Sequence, residues 1–412
     1  MEVTTVFSLL GGLGLFLFGI KTMGDGLEQA AGSKMKRLLE ALTRNKLTAV
    51  LVGLLVTAVI QSSSATTVMV VGFVNAGLLS LSKAIGVIMG ANIGTTVTSL
   101  MLSVKLNFGV LFTAVGAICQ LAGNRSSFKL FGQIMMGLGI LFVGMDAMTA
   151  AMEPLQEWRG FRDMMEWARN PFVGVLVGAG VTALLQSSSA SVGILQALAA
   201  TGAISLQASL FILFGQNIGT CVTALMASVG ANRTAKRAAV VHLLFNIIGA
   251  ALFIIIALAL PLASWIEMLA GANLRLQIAF AHIIFNVVTT LLLLPLSGLL
   301  EKLAYLVVRG EDKQEEPMRL EYFDTRLFST PPVAVQQLFR EVQRMADIVT
   351  ANYRFAMQYY FAPKDLSVDE FDNNEQVIDY LNAEITQNLI ELKGLNLRSE
   401  DIRLVGSLFH VV

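Results

Sequence analysis

Along the first 300 positions, apolar residues come in long blocks, and most of the polar residues fall between them. A block of about 18 residues or more is long enough to cross a bilayer. The pattern predicts spanning helices over 3–23, 106–123, 128–151, 238–260 and 274–300, with charged amphipathic stretches at 24–46 and 152–170. Two further apolar segments, 47–80 and 171–205, are interrupted halfway by Gln-Ser-Ser-Ser, and each is followed by a helix carrying Asn-Ile-Gly-Thr near its middle. After residue 300 the pattern changes. From 331 to 412 apolar positions recur near i, i+3, i+4 and i+7 in stretches such as VQQLFREVQRMADIV, which predicts water-facing helices with one buried side.

The interrupted segments are copies. VLVGLLVTAVIQSSSA at 50–65 returns as VLVGAGVTALLQSSSA at 175–190, and GANIGTTVTSLMLS at 90–103 returns as GQNIGTCVTALMAS at 215–228. The offset is the same 125 residues throughout (Gln61 to Gln186, Asn92 to Asn217), and about 25 of 54 aligned positions are identical without a gap. The predicted domains are therefore a first repeat at 1–123 and a second at 124–262. An additional helix at 274–300 lies outside the repeat, followed by a linker at 301–330 and a soluble helical region at 331–412.

Four polar side chains in a row at mid-membrane depth are costly unless they line a cavity or sit where a helix breaks. On that ground 47–80 and 171–205 are expected to be re-entrant hairpins. Each repeat then crosses an odd number of times, about seven crossings in all, and the second copy is inverted, an architecture of secondary transporters. The fold class is thus an all-α polytopic membrane protein with inverted repeats, re-entrant hairpins and broken helices, plus the soluble tail. Charge agrees. Lys34, Lys36, Arg37, Arg44 and Lys46, then Arg125 and Lys129, then Arg233, Lys236 and Arg237 fall on the side of the tail, while the opposite loops are acidic or sparse. The positive-inside rule places the tail in the cytoplasm and the chain in the cell membrane. The first block has no basic leader and no cleavage-type end, so it reads as a spanning helix.

The polar motifs suggest a chemistry. A helix start carries positive potential and unpaired N–H donors, which suit a tetrahedral oxyanion. Gln61, Ser62, Ser63 and Ser64, facing Gln186, Ser187, Ser188 and Ser189, would surround phosphate without a buried Arg or Lys. Gly94 and Gly219 mark places where a helix could unwind. Carbonyls there, with Asn92, Thr95, Thr98, Asn217, Thr220 and Thr223, would form neutral oxygen cages for a small hard cation. Asp25 and Asp146 are placed near helix ends, and Lys83 and Lys105 near interfaces. With no deep carboxylate to relay protons, sodium is expected as the coupling ion. The pairs His242/Asn246 and His282/Asn286 read first as polar glue between helices, with Asn246 the stronger candidate ligand because it lies in the repeat.

Paired QSSS segments, each followed by a GxNIGT helix, resemble the type II sodium/phosphate cotransporter family over nearly all of 1–300. The resemblance implies sodium-dependent phosphate transport, with substrate at the QSSS hairpins and sodium in the Asn/Thr-bearing helices nearby. The first repeat departs from the pattern, with GAICQLAG at 116–123 where the second has HLLFN. The tail is similar to the N-terminal part of a PhoU-like domain, and a plain helical bundle fits it as well.

Composition narrows the remaining classes. The chain is 55% apolar and 14% charged with a net charge of zero, a balance suited to lipid as solvent. Cys119 and Cys221 sit in apolar blocks and read as core residues. No nucleophile–base pair, metal cluster or nucleotide-binding loop is apparent, so the chain is not read as an enzyme, and no organic cofactor or nucleic-acid partner is expected. The expected partners are inorganic phosphate, sodium and the lipid bilayer, and whether the protein is a homo-oligomer stays open. Two alternatives stand beside phosphate symport: a carrier of sulfate or a dicarboxylate, and a phosphate sensor signalling through the tail.

Overall fold

A computed structural model describes residues 3–40, 45–104, 108–123, 125–310, 318–361, 368–395, 397 and 399–412. Arg44, Lys105 and the charged stretch 311–317 lie outside them, as do the side chains of Lys34, Lys36 and Arg37. The described residues are helical with no strand. The first half holds α1 (Val3–Glu40), α2 (Lys46–Ile60), α3 (Ser63–Asn75), α4 (Leu81–Ser103) and α5 (Gly109–Ala122). The second holds α6 (Ser126–Met152), a short α7 (Arg159–Trp167), α8 (Pro171–Leu185), α9 (Ser188–Ala200), α10 (Leu206–Gly219) and α11 (Cys221–Ala227). Next come α12 (Arg233–Ala259), α13 (Leu262–Ala270), α14 (Leu274–Leu293) and α15 (Ser297–Val307). The tail is α16 (Pro331–Phe361), α17 (Asp369–Lys393) and α18 (Ser399–Leu408). Among the described residues six helices are long and apolar enough to cross a membrane, or seven if the bent pair α7–α8 counts as one.

Glycines set the helix directions, because backbones approach closely only where there is no Cβ. On α4, Gly86 faces Lys46 and Ala49, Gly90 faces Val50 and Leu54, and Gly94 faces Leu54 and Thr57. The order rises on both helices, so α2 and α4 run parallel and α3 carries the chain back between them. Gly215 against Val175 and Gly219 against Ala179 and Thr182 set α8 and α10 in the same relation. Conversely, Gly12 meets Gly144, and Gly19 meets Gly137 and Leu141, so α1 and α6 are antiparallel. The 125-residue offset exchanges these two contacts, so equivalent helices of the two repeats run in opposite directions about a local two-fold axis.

Three expectations change. Helix α1 does not stop near Met23 but continues to Glu40. The expected span at 106–123 is a described helix of only 14 residues, packed on α6. Gly109 faces Gly139 and Phe142 while Gly116 faces Gly132 and Met136, so α5 runs antiparallel to α6.

The third change concerns the last helix, expected as one span over 274–300 outside the 125-residue repeat: it ends at Leu293, and α15 begins at Ser297. His242, Phe245 and Asn246 of α12 return 40 residues later as His282, Phe285 and Asn286 of α14. PLASWIEMLA at 261–270 is answered by PLSGLLEKLA at 295–304. The structure pairs them reciprocally. Arg237 of α12 donates to Val308 O beyond α15 (3.1 Å), while Gln277 of α14 donates to Gly271 O beyond α13 (2.5 Å). The two helices cross where Gly249 meets its own counterpart, Thr289. Thus α12–α13 and α14–α15 form a second, shorter repeat around the same core.

Candidate functional site

Helices α2 and α8 both end on a glutamine in the left-handed backbone region, Gln61 at φ 59° and Gln186 at φ 52°. They are the only residues other than glycine with positive φ among those described. That conformation is strained for a side chain with a Cβ, by on the order of 1–3 kcal/mol. Its presence at both equivalent positions marks the two breaks. Each next serine caps a new helix: Ser62 Oγ accepts from Ala65 N (3.1 Å) and Ser187 Oγ from Ala190 N (3.2 Å). Each of these two hydroxyls thus accepts from the backbone through its oxygen.

The first turns of α3 and α9 meet. Ser63 Oγ and Ser188 Oγ are 3.3 Å apart, and Ser64 Oγ donates to Gln186 O at 3.3 Å. Ser63 and Ser188 are one position in two copies, so their contact lies on the two-fold axis. Ser189 is buried beside them. Both helices are 13 residues long and present their N-termini to each other. Two positive helix ends held face to face repel unless something negative lies between them.

The Asn-Ile-Gly-Thr elements flank this junction. Thr98 Oγ1 donates to Gln61 Oε1 at 2.8 Å, and Gln61 is buried. Its counterpart differs: Thr223 Oγ1 contacts Ser64 Oγ at 3.4 Å, while exposed Gln186 reaches only Met226 Sδ at 3.8 Å. The two halves of the junction are therefore unequal: Gln61 is buried on Thr98, and Gln186 is exposed.

The expected unwinding at Gly94 does not occur. Helix α4 passes through Asn92–Thr95 unbroken, and Gly94 serves close packing against α2. In the second repeat the helix is interrupted once, at Thr220 between α10 and α11, so Gly219 ends α10 but is likewise packed against α8. Thr95 and Thr220 bond back to Ala91 O and Gln216 O within their own helices.

The shorter repeat reaches the same elements. His242 Nε2 lies 3.4 Å from Asn92 Oδ1, and Asn286 Nδ2 donates to Asn217 Oδ1 at 3.3 Å. Asn246 Nδ2 donates to His242 O at 3.0 Å and lies 3.3 Å from Cys221 Sγ. The oxygens of Asn246 and Asn286, and of Gln196 and Gln216, are buried without a hydrogen-bond partner. All four are acceptors. Sequence reasoning named Asn246 as a candidate ligand, read Asn286 first as polar glue, and passed over Gln196 and Gln216.

Asp25 also moves. Because α1 runs on to Glu40, Asp25 lies inside it, and the adjacent Gly24 packs on Ile60 O and toward Gln61. Asp25, expected near a helix end, thus lies well inside α1, one residue from a glycine packed on the break after α2.

The Na+/Pi-cotransporter family model matches residues 15–150 and again 151–291. The chain belongs to the Na+/Pi-cotransporter family. Its members are membrane transport proteins, not enzymes. The uncharacterized protein YqeW of Bacillus subtilis is 33% identical over 71% of this chain and 95% of its own length. YjbB of Salmonella typhimurium, provisionally named for inorganic phosphate export, is 28% identical over 83% of this chain. The match spans 63% of YjbB's length. Sodium-dependent phosphate transport protein 2A of Rattus norvegicus is 37% identical over 29% of this chain and 17% of its own. No solved structure matches the chain.

Proposed function

We propose that the chain is a sodium-coupled secondary transporter of inorganic phosphate. Substrate binds between the N-termini of α3 and α9, and access alternates between the two membrane faces. The observation that carries this reading is the meeting of two positive helix ends at Ser63 and Ser188, a place made for an oxyanion. Backbone N–H groups and the hydroxyls of Ser63, Ser64, Ser188 and Ser189 would hold phosphate, with Gln61 and Gln186 at its rim. The capping serines Ser62 and Ser187 set the helix starts. The antiparallel relation of α1 and α6 supports inverted repeats across the bilayer, with α2–α3 and α8–α9 as re-entrant hairpins. Lys46 bonds Ser297 at the start of α15, and Arg233 and Arg237 bond the Arg309 and Val308 carbonyls beyond its end; these cations beside the approach to the tail support a cytoplasmic tail.

Sodium is supported by the surplus of buried neutral acceptors around Asn92, Asn217 and Asn246, since a small cation needs oxygens rather than formal charge. Thr95 and Thr220 lie one turn from Asn92 and Asn217, and Thr98 and Thr223 contact Gln61 and Ser64 at the helix junction. Asp25 favours a second reading, in which protons drive transport through that carboxyl. Labelled phosphate uptake into proteoliposomes separates the two. The sodium reading expects uptake on a sodium gradient at fixed pH, and none on a pH gradient with choline outside. Uptake on the pH gradient alone, abolished by Asp25→Asn, would establish the second reading. Competition by sulfate or a dicarboxylate at equal strength would remove phosphate as the preferred substrate.

A further inference from the structure

Residues 322–330, within the stretch expected as a loose linker, are packed between the tail and the first hairpin. Phe323, Leu327 and Thr330 are buried. On the tail side, Glu341 of α16 is fully buried and accepts from the backbone N–H groups of Tyr322 and Phe323. On the other side, Asp324 Oδ2 accepts from Asn75 Nδ2 at 2.6 Å. Arg326 pairs with Asp324 at 2.6 Å and donates to Ala227 O (2.5 Å) and Val229 O (3.2 Å). Those carbonyls close the C-terminal end of α11, where a cation is favoured. Asn75 completes the junction, accepting at Oδ1 from Asn232 N (2.7 Å) and at its carbonyl from Asn232 Nδ2 (3.0 Å).

Asn75 is the last residue of α3, and the first residues of α3 are Ser63 and Ser64. One short helix therefore connects this junction to the site. An opening in which α3 parts from the corner between α11 and α12 would break the contacts of Asn75 with Asn232 and Asp324. The equivalent of Asn75 in the second repeat is Ala200, whose side chain can form no such bonds. This matches the inequality at the site, where Gln61 is buried on Thr98 and Gln186 is exposed.

We propose that residues 322–330 are a strap by which the tail holds the first hairpin closed, so that the tail regulates opening on its own side of the site. The purpose of the strap rests on the transport reading; its mechanics do not. The test uses the full-length chain in lipid nanodiscs, with Arg326→Ala and, separately, Asn75→Ala. Hydrogen–deuterium exchange is followed over 61–75 and over 186–200. Exchange over 61–75 is expected to rise by about fivefold or more, the scale of ordinary coupling between sites, with 186–200 unchanged. In proteoliposomes, phosphate exchange is expected to rise as well, which loss of a merely structural contact would not produce. If Arg326→Ala does not fold, Asn75→Ala breaks the same junction from the hairpin side. Wild-type exchange over 61–75 in a folded variant overturns the strap, whether or not phosphate moves. Released hairpins in a protein that moves no phosphate leave the strap standing and remove the transport reading.

Discussion

Replacing Gly94 with Ala tests whether the glycine of the first Asn-Ile-Gly-Thr element works by close packing. A Cβ at that position would stand 2.7 Å from both Leu54 O and Thr57 Cβ. Ordinary contact begins at 3.4 Å, so α4 would have to retreat from α2 by about 0.7 Å. Neither neighbour is the end of a flexible side chain, so the strain falls on the helices, at a cost of about 1–3 kcal/mol. The same retreat would stretch the 2.8 Å bond from Thr98 to Gln61 to the edge of hydrogen-bonding range. Gly94→Ala should therefore lower both the melting temperature in detergent and the rate of phosphate uptake. Gly14→Ala is the control, since nothing lies within 4 Å of its Cβ and alanine favours the helix by up to about 1 kcal/mol. Wild-type stability and flux in Gly94→Ala would refute the packing argument. A fall in flux without a fall in stability would instead restore the idea that this glycine serves flexibility.

Three other outcomes follow from the same geometry. Ser63→Ala and Ser188→Ala should weaken phosphate half-saturation non-additively, because the two hydroxyls share one contact; the double-mutant cycle should show coupling of about 0.5–3 kcal/mol, and strict additivity would count against the shared site. Asn217→Ala and Asn92→Ala should raise the sodium concentration needed for half-maximal flux at fixed pH more than they lower the melting temperature, and an unchanged sodium dependence in both would remove them as ligands. Glu341→Ala strands the N–H groups of Tyr322 and Phe323 and should destabilise the tail by about 1–3 kcal/mol, read as faster hydrogen exchange over 331–361.

The large repeat was plain in the sequence because both copies keep the same costly feature, four polar residues in lipid. An apolar block tolerates such a run only where its helix breaks or lines a cavity, and the meeting of Ser63 with Ser188 agrees with a break. The shorter repeat was missed because its signal is five residues in one helix and ten in another, at two different spacings, among apolar residues that match by chance. Gly94 misled for a different reason. A missing Cβ serves equally for unwinding and for close approach, and only the neighbouring Leu54 and Thr57 decide between them. The place of Asp25 in its helix depended on where α1 ends, and the charged stretch after Met23 suggested an end that the helix does not have. The strap was hidden because Asp324 and Arg326 resemble ordinary linker charges until Asn75, 249 residues away from Asp324, comes to meet them.

The contact of Ser63 with Ser188 also bears on descent. A residue that touches its own counterpart across a two-fold axis would do the same in a symmetric dimer of half-length chains. A site of that kind is complete as soon as two identical copies associate, before any gene fusion. Joining the copies in one chain adds a freedom the dimer lacks, because each change then falls on one side alone. Asn75 opposite Ala200, and Gln61 on Thr98 opposite Gln186 on Met226, are differences that identical subunits could not have encoded.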